Sequence, residues 1–204
     1  FYNTALGFYT LFQNTTGSYN TAVGYKALYG NTTGYYNVAI GFESQTNNSY
    51  GRRNVSMGLY ALRNNNTGND NVAIGHYSMW NSFNVSQNTA VGSNTLQTNT
   101  TGTGNTAIGY YALKANTTGG KHVAIGHKAL AANTTGTNNT AVGVNALING
   151  TTSYYNSALG SNALHDMTTG ANNVGVGFQA GYAITTGLYN VMLGSLAGYN
   201  GQNL

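Results

Sequence analysis

The stretch SYNTAVGYKALYGNTTG (Ser18–Gly34) is followed directly by YYNVAIGFESQTNNSYG (Tyr35–Gly51), which repeats its Tyr, Asn, Ala, Gly, Asn and Gly at positions 2, 3, 5, 7, 14 and 17. Units of seventeen residues fill the 204 positions twelve times without remainder. With columns numbered 1 to 17 from Phe1, column 7 is glycine in every unit: Gly7, Gly24, Gly41, Gly58, Gly75, Gly92, Gly109, Gly126, Gly143, Gly160, Gly177 and Gly194. So short a fixed period marks a repeat architecture, in which each unit buries its apolar face only by stacking on its neighbours.

The columns predict the coil. Column 4 is Thr, Val or Ser, column 5 is mostly Ala, and column 6 is Leu, Val, Ile or Met. With the residue before them they read as a short β-strand. The column 7 glycine then allows a left-handed φ or a close backbone approach at a corner. Columns 9 to 12 predict a second short strand, and Asn-Thr-Thr-Gly at columns 14 to 17 predicts a closing turn. A helix is excluded on energy, because two glycine columns per unit each cost about 1 kcal/mol against alanine. The expectation is one all-β domain over residues 1–204, a parallel β-solenoid of twelve 17-residue coils. At about 4.8 Å per coil the rod is about 55–60 Å long.

Column 3 is asparagine at Asn3, Asn20, Asn37, Asn54, Asn71, Asn88, Asn105, Asn139, Asn156, Asn173 and Asn190, with His122 the exception. Stacked in register, these amides form a hydrogen-bonded ladder that His122 can still join by donating once and accepting once. All ten charged residues fall in columns 1, 2, 9, 12 and 13, and sixteen of the 17 tyrosines in columns 1, 2, 8, 9 and 12. Unpaired charge avoids burial. Those columns are therefore expected to face solvent or a partner, with columns 3 to 7 and 10 to 11 interior. Columns 4 and 6 share one strand face and column 5 takes the other. Both are small or apolar, which predicts a strand covered on both sides, with neighbouring chains on the outer one.

Composition narrows the function. Charged residues are 5% of the chain, and its seven basic residues are too dispersed to neutralise a row of phosphates, so nucleic acid is not expected as a partner. Cysteine and proline are absent, and no apolar run reaches the roughly 20 residues of a membrane span. Catalysis is not expected, nor a cofactor or metal. The three carboxylates, Glu43, Asp70 and Asp166, occupy different columns and separated coils, and His76 and His127 lie three coils apart in column 8. His165 and Asp166 project oppositely if both lie in a strand. With no initiator methionine and no leader-like start, the chain reads as an internal segment of a longer protein.

Three groups are candidates for contact. Tyr2, Tyr19 and Tyr36 in column 2, Tyr25 and Phe42 in column 8, the pair Tyr110 and Tyr111, and Trp80 either stack on sugar rings or fill grooves between chains. Asn14, Asn31, Asn99, Asn116 and Asn133 begin Asn-Thr-Thr turns that match the N-glycosylation acceptor pattern. Units 11 and 12 drift, with Gly181 and Gly198 replacing leucine and Gly175 and Met192 replacing alanine, as if approaching another domain.

The segments Asn37-Val-Ala-Ile-Gly41, Asn71-Val-Ala-Ile-Gly75 and Asn20-Thr-Ala-Val-Gly24 resemble the head repeats of trimeric autotransporter adhesins. The longer unit, with Ala27-Leu28 and Asn31 to Gly34, looks like repeats of bacteriophage tail fibres. The resemblance implies a left-handed β-roll, three identical chains side by side, and a place on a cell or virion surface. It implies a non-enzymatic structural or adhesive fibre, with cell-surface glycans or a host receptor as partners. A self-assembling extracellular filament is the alternative.

Overall fold

The computed structural model describes residues 2–200; Phe1 and residues 201–204 of the expected domain lie outside the described residues. Twelve three-residue strands run from β1 (Thr4–Leu6) and β2 (Thr21–Val23), at seventeen-residue intervals, to β11 (Val174–Val176) and β12 (Val191–Leu193). They form one parallel sheet in sequence order, and each residue pairs with the residue seventeen positions on, as Thr21 with Val38 and Ala22 with Ala39. The chain is a parallel β-solenoid of 17-residue coils with no helix among the described residues.

The expected second strand is absent. Columns 9 to 12 form a run of overlapping turns in which columns 9 and 11 take left-handed φ in every coil, as at Lys26 (52°) and Leu28 (50°). Within a coil the Ala27 N–H donates to Gly24 O, Tyr29 N–H to Lys26 O and Asn31 N–H to Leu28 O. Between coils the Leu28 N–H reaches Ser44 O at 3.1 Å and the Lys26 N–H reaches Phe8 O at 3.0 Å. The segment is thus stitched to its neighbours like a strand but curled like a turn. The curl puts consecutive Ala27 and Leu28 both inside, fully buried, which strand alternation forbids. A left-handed leucine costs about 1–2 kcal/mol, and complete burial of its side chain returns about 1.5–3 kcal/mol. Burial wins.

The core is narrower than the sequence reading expected. Column 5 points inward from β2 onward and meets columns 10 and 11, as Ala22, Ala27 and Leu28 do. Columns 4 and 6 are not interior: they form the outer face of the sheet, half-exposed where Met57, Ile108 and Leu193 stand. One buried polar belt divides the core. The Ser44 hydroxyl meets that of Ser56 at 2.8 Å, Ser56 donates to Gln45 Oε1 at 3.2 Å, and Gln45 Nε2 donates to Asn37 Oδ1. On one side lie Ala22, Ala27, Leu28 and Ala39, and on the other a cluster running from Ala61 to Met192.

The drift in the last units is a compensated repacking. Column 11 is left-handed throughout, so glycine suits Gly181 (66°) and Gly198 (64°). The Met192 side chain occupies the space that their side chains would take: a Cβ on Gly181 would lie 2.8 Å from Met192 Sδ, and one on Gly198 2.9 Å from Met192 Cγ.

Column 7 is a position of close approach between coils. Gly109 has φ of 129°, and a Cβ there would lie 2.5 Å from the carbonyl oxygen of Gly126 in the next coil. Gly104, in column 2, has φ of 70° and open space, with no atom nearer than 3.8 Å to a Cβ. Urea unfolding should therefore separate two glycine substitutions. Gly109→Ala is expected to lower stability by at least about 2 kcal/mol, whereas Gly104→Asn should change it by no more than about 0.5–1 kcal/mol.

Candidate functional site

The repeat turns each column into a file of side chains along the axis, and three kinds of file hold the chemistry of this chain. The first is the column 3 ladder. Asn20 Oδ1 accepts the Asn37 backbone N–H at 3.0 Å and its Nδ2 at 3.2 Å, and that Nδ2 also donates to Gly51 O at 2.8 Å. Each amide thus ties two coils together and closes its own coil. Asn54, Asn71, Asn88, Asn156, Asn173 and Asn190 repeat the link to the preceding oxygen. Asn3 begins the file by accepting from Asn20, and Asn105 and Asn139 flank the histidine.

His122 holds its place in that ladder, buried completely. Its backbone N–H donates to Asn105 Oδ1 and its Nδ1 accepts the Asn139 N–H at 3.2 Å. Those partners assign the proton to Nε2, which donates to Gly136 O at 2.7 Å. The ring is neutral in this arrangement, and burial pushes its pKa below the ordinary 6.5 despite the two backbone partners.

Column 14 carries a second amide file that the sequence reading missed, because the Asn-Thr-Thr-Gly pattern points to a surface turn. Asn31 Nδ2 donates to Asn14 Oδ1 at 2.8 Å and to Gly34 O, Asn48 Nδ2 to Asn31 Oδ1, Asn116 Nδ2 to Asn99 Oδ1 and Asn133 Nδ2 to Asn116 Oδ1. This corrects the reading of these residues as glycosylation acceptors. Asn31, Asn99, Asn116 and Asn133 are fully buried, and the Asn14 Nδ2 donates to Gly17 O. A glycan has no room on a buried amide nitrogen that is already donating. The file breaks where Ser82 and Gly150 replace asparagine. Of the buried polar atoms without a partner, Ser82 Oγ, Asn133 Oδ1 and Ser153 Oγ lie at those two breaks, and Asn48 Oδ1 lies two coils before the first, where the Asn65 amide donates only to Gly68 O.

Aromatic files stand outside. Tyr2, Tyr19 and Tyr36 stack at 5.1 and 5.0 Å between ring centroids, and Tyr25 lies 4.9 Å from Phe42. Tyr110 packs on Tyr111 at 4.0 Å, and Trp80 meets Tyr77 edge-on. In the columns the rings cover one another's faces, leaving mainly their edges to any sugar. Two of the arginines pair with carboxylates. Arg53 grips Asp70 at 2.6 and 2.9 Å and holds that carboxyl below its usual range, and Arg63 reaches Glu43 at 2.8 Å. His165 Nδ1 and Asp166 Oδ1 lie 2.7 Å apart rather than projecting oppositely, because columns 12 and 13 are turn and not strand. Among the described residues no three His, Cys, Asp or Glu side chains come together as a metal site, and no helix is long and apolar enough to cross a membrane.

Comparison of the chain with protein-family models, with curated proteins and with solved structures gives no match.

The His122 geometry carries a pH signature. Above pH 6.5 the ring is neutral in both folded and unfolded chains, so its contribution is constant. As pH falls from 6.5 towards the lower folded pKa, only the unfolded chain takes up the proton, and stability falls by no more than about 1.4 kcal/mol per pH unit. Urea midpoints measured from pH 7.5 to 5 should therefore drop more steeply for the wild-type chain than for His122→Asn, which restores the amide ladder.

Proposed function

We propose that this chain is a non-enzymatic segment of an extracellular fibre, a rod or adhesive head in which three copies pack side by side as a left-handed β-roll. The observation that supports it most is the outer face of the sheet. Columns 4 and 6 run along the solenoid with no charged residue in any coil, and half-exposed leucine, isoleucine, valine and methionine recur every seventeen residues. A long uncharged stripe of this kind, apolar throughout in column 6, is suited to burial against a like surface. A second copy presents the same spacing and the same absence of charge. The location on a cell or virion surface, and the adhesive role, rest on the resemblance of the Asn-Thr-Ala-Val-Gly and Asn-Thr-Thr-Gly segments to adhesin heads and phage tail fibres.

Polymerisation through stacking of coils end to end, the same parallel pairing that joins β1 to β2, is the competing reading. Mass in solution tells the two apart. Sedimentation equilibrium is expected to give a discrete species of three 21.4 kDa chains, independent of concentration over the micromolar range. The double variant Ile74→Lys, Ile108→Lys should dissociate it to monomers while the β-type circular dichroism persists. A wild-type monomer would contradict lateral packing, and mass that climbs without limit would favour the filament.

A further inference from the structure

Coils 3 to 5 depart from the rest of the repeat along one edge. Column 13 is asparagine in three consecutive coils, Asn47, Asn64 and Asn81, and column 15 loses its threonine in the same coils, to Ser49, Asn66 and Phe83. The two columns face each other across an open groove of 560 Å³ whose walls include Tyr29 and Phe83 and whose polar lining includes Gln13, Asn47, Asn64 and Asn66. That volume lies within the range of small-ligand sites.

The lining is chemically specific. The amides run as a third file, Asn47 Nδ2 donating to Asn64 Oδ1 at 2.8 Å and Asn64 Nδ2 to Asn81 Oδ1 at 3.2 Å. That file fixes their orientation, and it leaves capacity over. Among the described residues Asn47 Oδ1, Asn66 Nδ2 and the Gln13 amide have no hydrogen-bond partner of their own. Each amide offers both donors and acceptors. No charged side chain lines the groove. Phe83 is about half exposed and pairs with no other ring among the described residues, so its faces are open, unlike those of the stacked columns.

We propose that this groove binds a neutral oligosaccharide, its hydroxyls bonding to the amides of Gln13, Asn47 and Asn66 and the apolar face of one sugar ring lying on Phe83. Hydroxyl groups both donate and accept, as the amides do, and a pyranose ring has a flat C–H face that suits an aromatic wall. An extended peptide adding as a strand is the poorer occupant, because it needs free main-chain groups. Of the lining residues, Gln13, Tyr29, Gly30, Asn47 and Ser49 already donate their backbone N–H to carbonyls, which leaves only those of Asn64, Asn66 and Phe83 without a backbone acceptor. A phosphorylated, sulfated or sialylated ligand has no cation in the lining to meet it. The inference gives the adhesive reading a ligand class, but the groove lies within one chain and does not depend on a trimer.

The test is an array of neutral gluco-, manno-, galacto- and xylo-oligosaccharides alongside sialylated and sulfated glycans and a peptide array, probed with the whole chain. Binding to at least one neutral oligosaccharide is expected. It should fall at least tenfold in Phe83→Ala and in Asn47→Leu, survive in Phe83→Tyr, and be unchanged in Tyr19→Ala, whose ring belongs to a stacked column. Phe83 is a surface side chain, so Phe83→Ala should keep the wild-type circular dichroism and urea midpoint. The monomeric Ile74→Lys, Ile108→Lys variant should still bind, which separates failure of this site from failure of lateral packing. The proposal is overturned by an absence of neutral-glycan binding, by preference for charged glycans or peptides, or by binding that Phe83→Ala leaves intact.

Discussion

Pairing of each residue with the one seventeen positions later is the constraint on which the structure rests. It holds in the strands, where Thr21 lies beside Val38, and equally in the turns, where the Leu28 N–H reaches the next coil and the Lys26 N–H the previous one. At columns 7 and 17 the fit is tight, since the neighbouring carbonyl lies where a side chain would begin. One inserted residue would displace the sheet, the amide ladders and the ring stacks together from their partners in the next coil. The unbroken period over 204 residues is the sequence expression of that geometry.

So thin a coil buries little hydrocarbon, essentially alanine at columns 5 and 10 and leucine at column 11. Much of what it buries is polar, and buried amides are costly unless they are bonded. Columns 3 and 14 meet that demand by bonding to themselves along the axis and to the column 17 carbonyl within a coil. Each amide therefore depends on the presence of the next. Where the column 14 file stops, at Ser82 and Gly150, unpartnered oxygens collect. Where the column 3 file changes chemistry, at His122, the replacement works only as a neutral ring in one tautomer.

The architecture was legible in the sequence because its signal is a period, and a period is indifferent to local propensity. Asn37, Ala39 and Gly41 announce their neighbours seventeen residues away without any appeal to secondary structure. What the sequence concealed was local conformation. Columns 9 to 12 have strand-like composition, yet Lys26 and Leu28 sit at left-handed φ, a state that leucine rarely adopts and that only burial of its side chain justifies. The same blind spot made Gly181 and Gly198 look like decay of the repeat, when glycine is the residue that a left-handed position accepts most readily. Asn31 and Asn133 were misjudged because an Asn-Thr-Thr turn normally lies on the surface, whereas these asparagines point inward. The groove beside Phe83 stayed hidden, since the facing of columns 13 and 15 follows from the curl of the coil.

The central claim is an axial rise of one strand spacing for every seventeen residues, and distance measurement between spin labels tests it directly. Thr33, Thr101 and Thr169 are exposed, share column 16, and are separated by four coils each. Cysteine substitutions labelled in pairs, diluted with unlabelled chain, should give about 19 Å for positions 33 and 101 and about 38 Å for positions 33 and 169. A second distance close to twice the first is the predicted result. Two similar distances, or a longer one well under about 30 Å, would contradict the stacked coil.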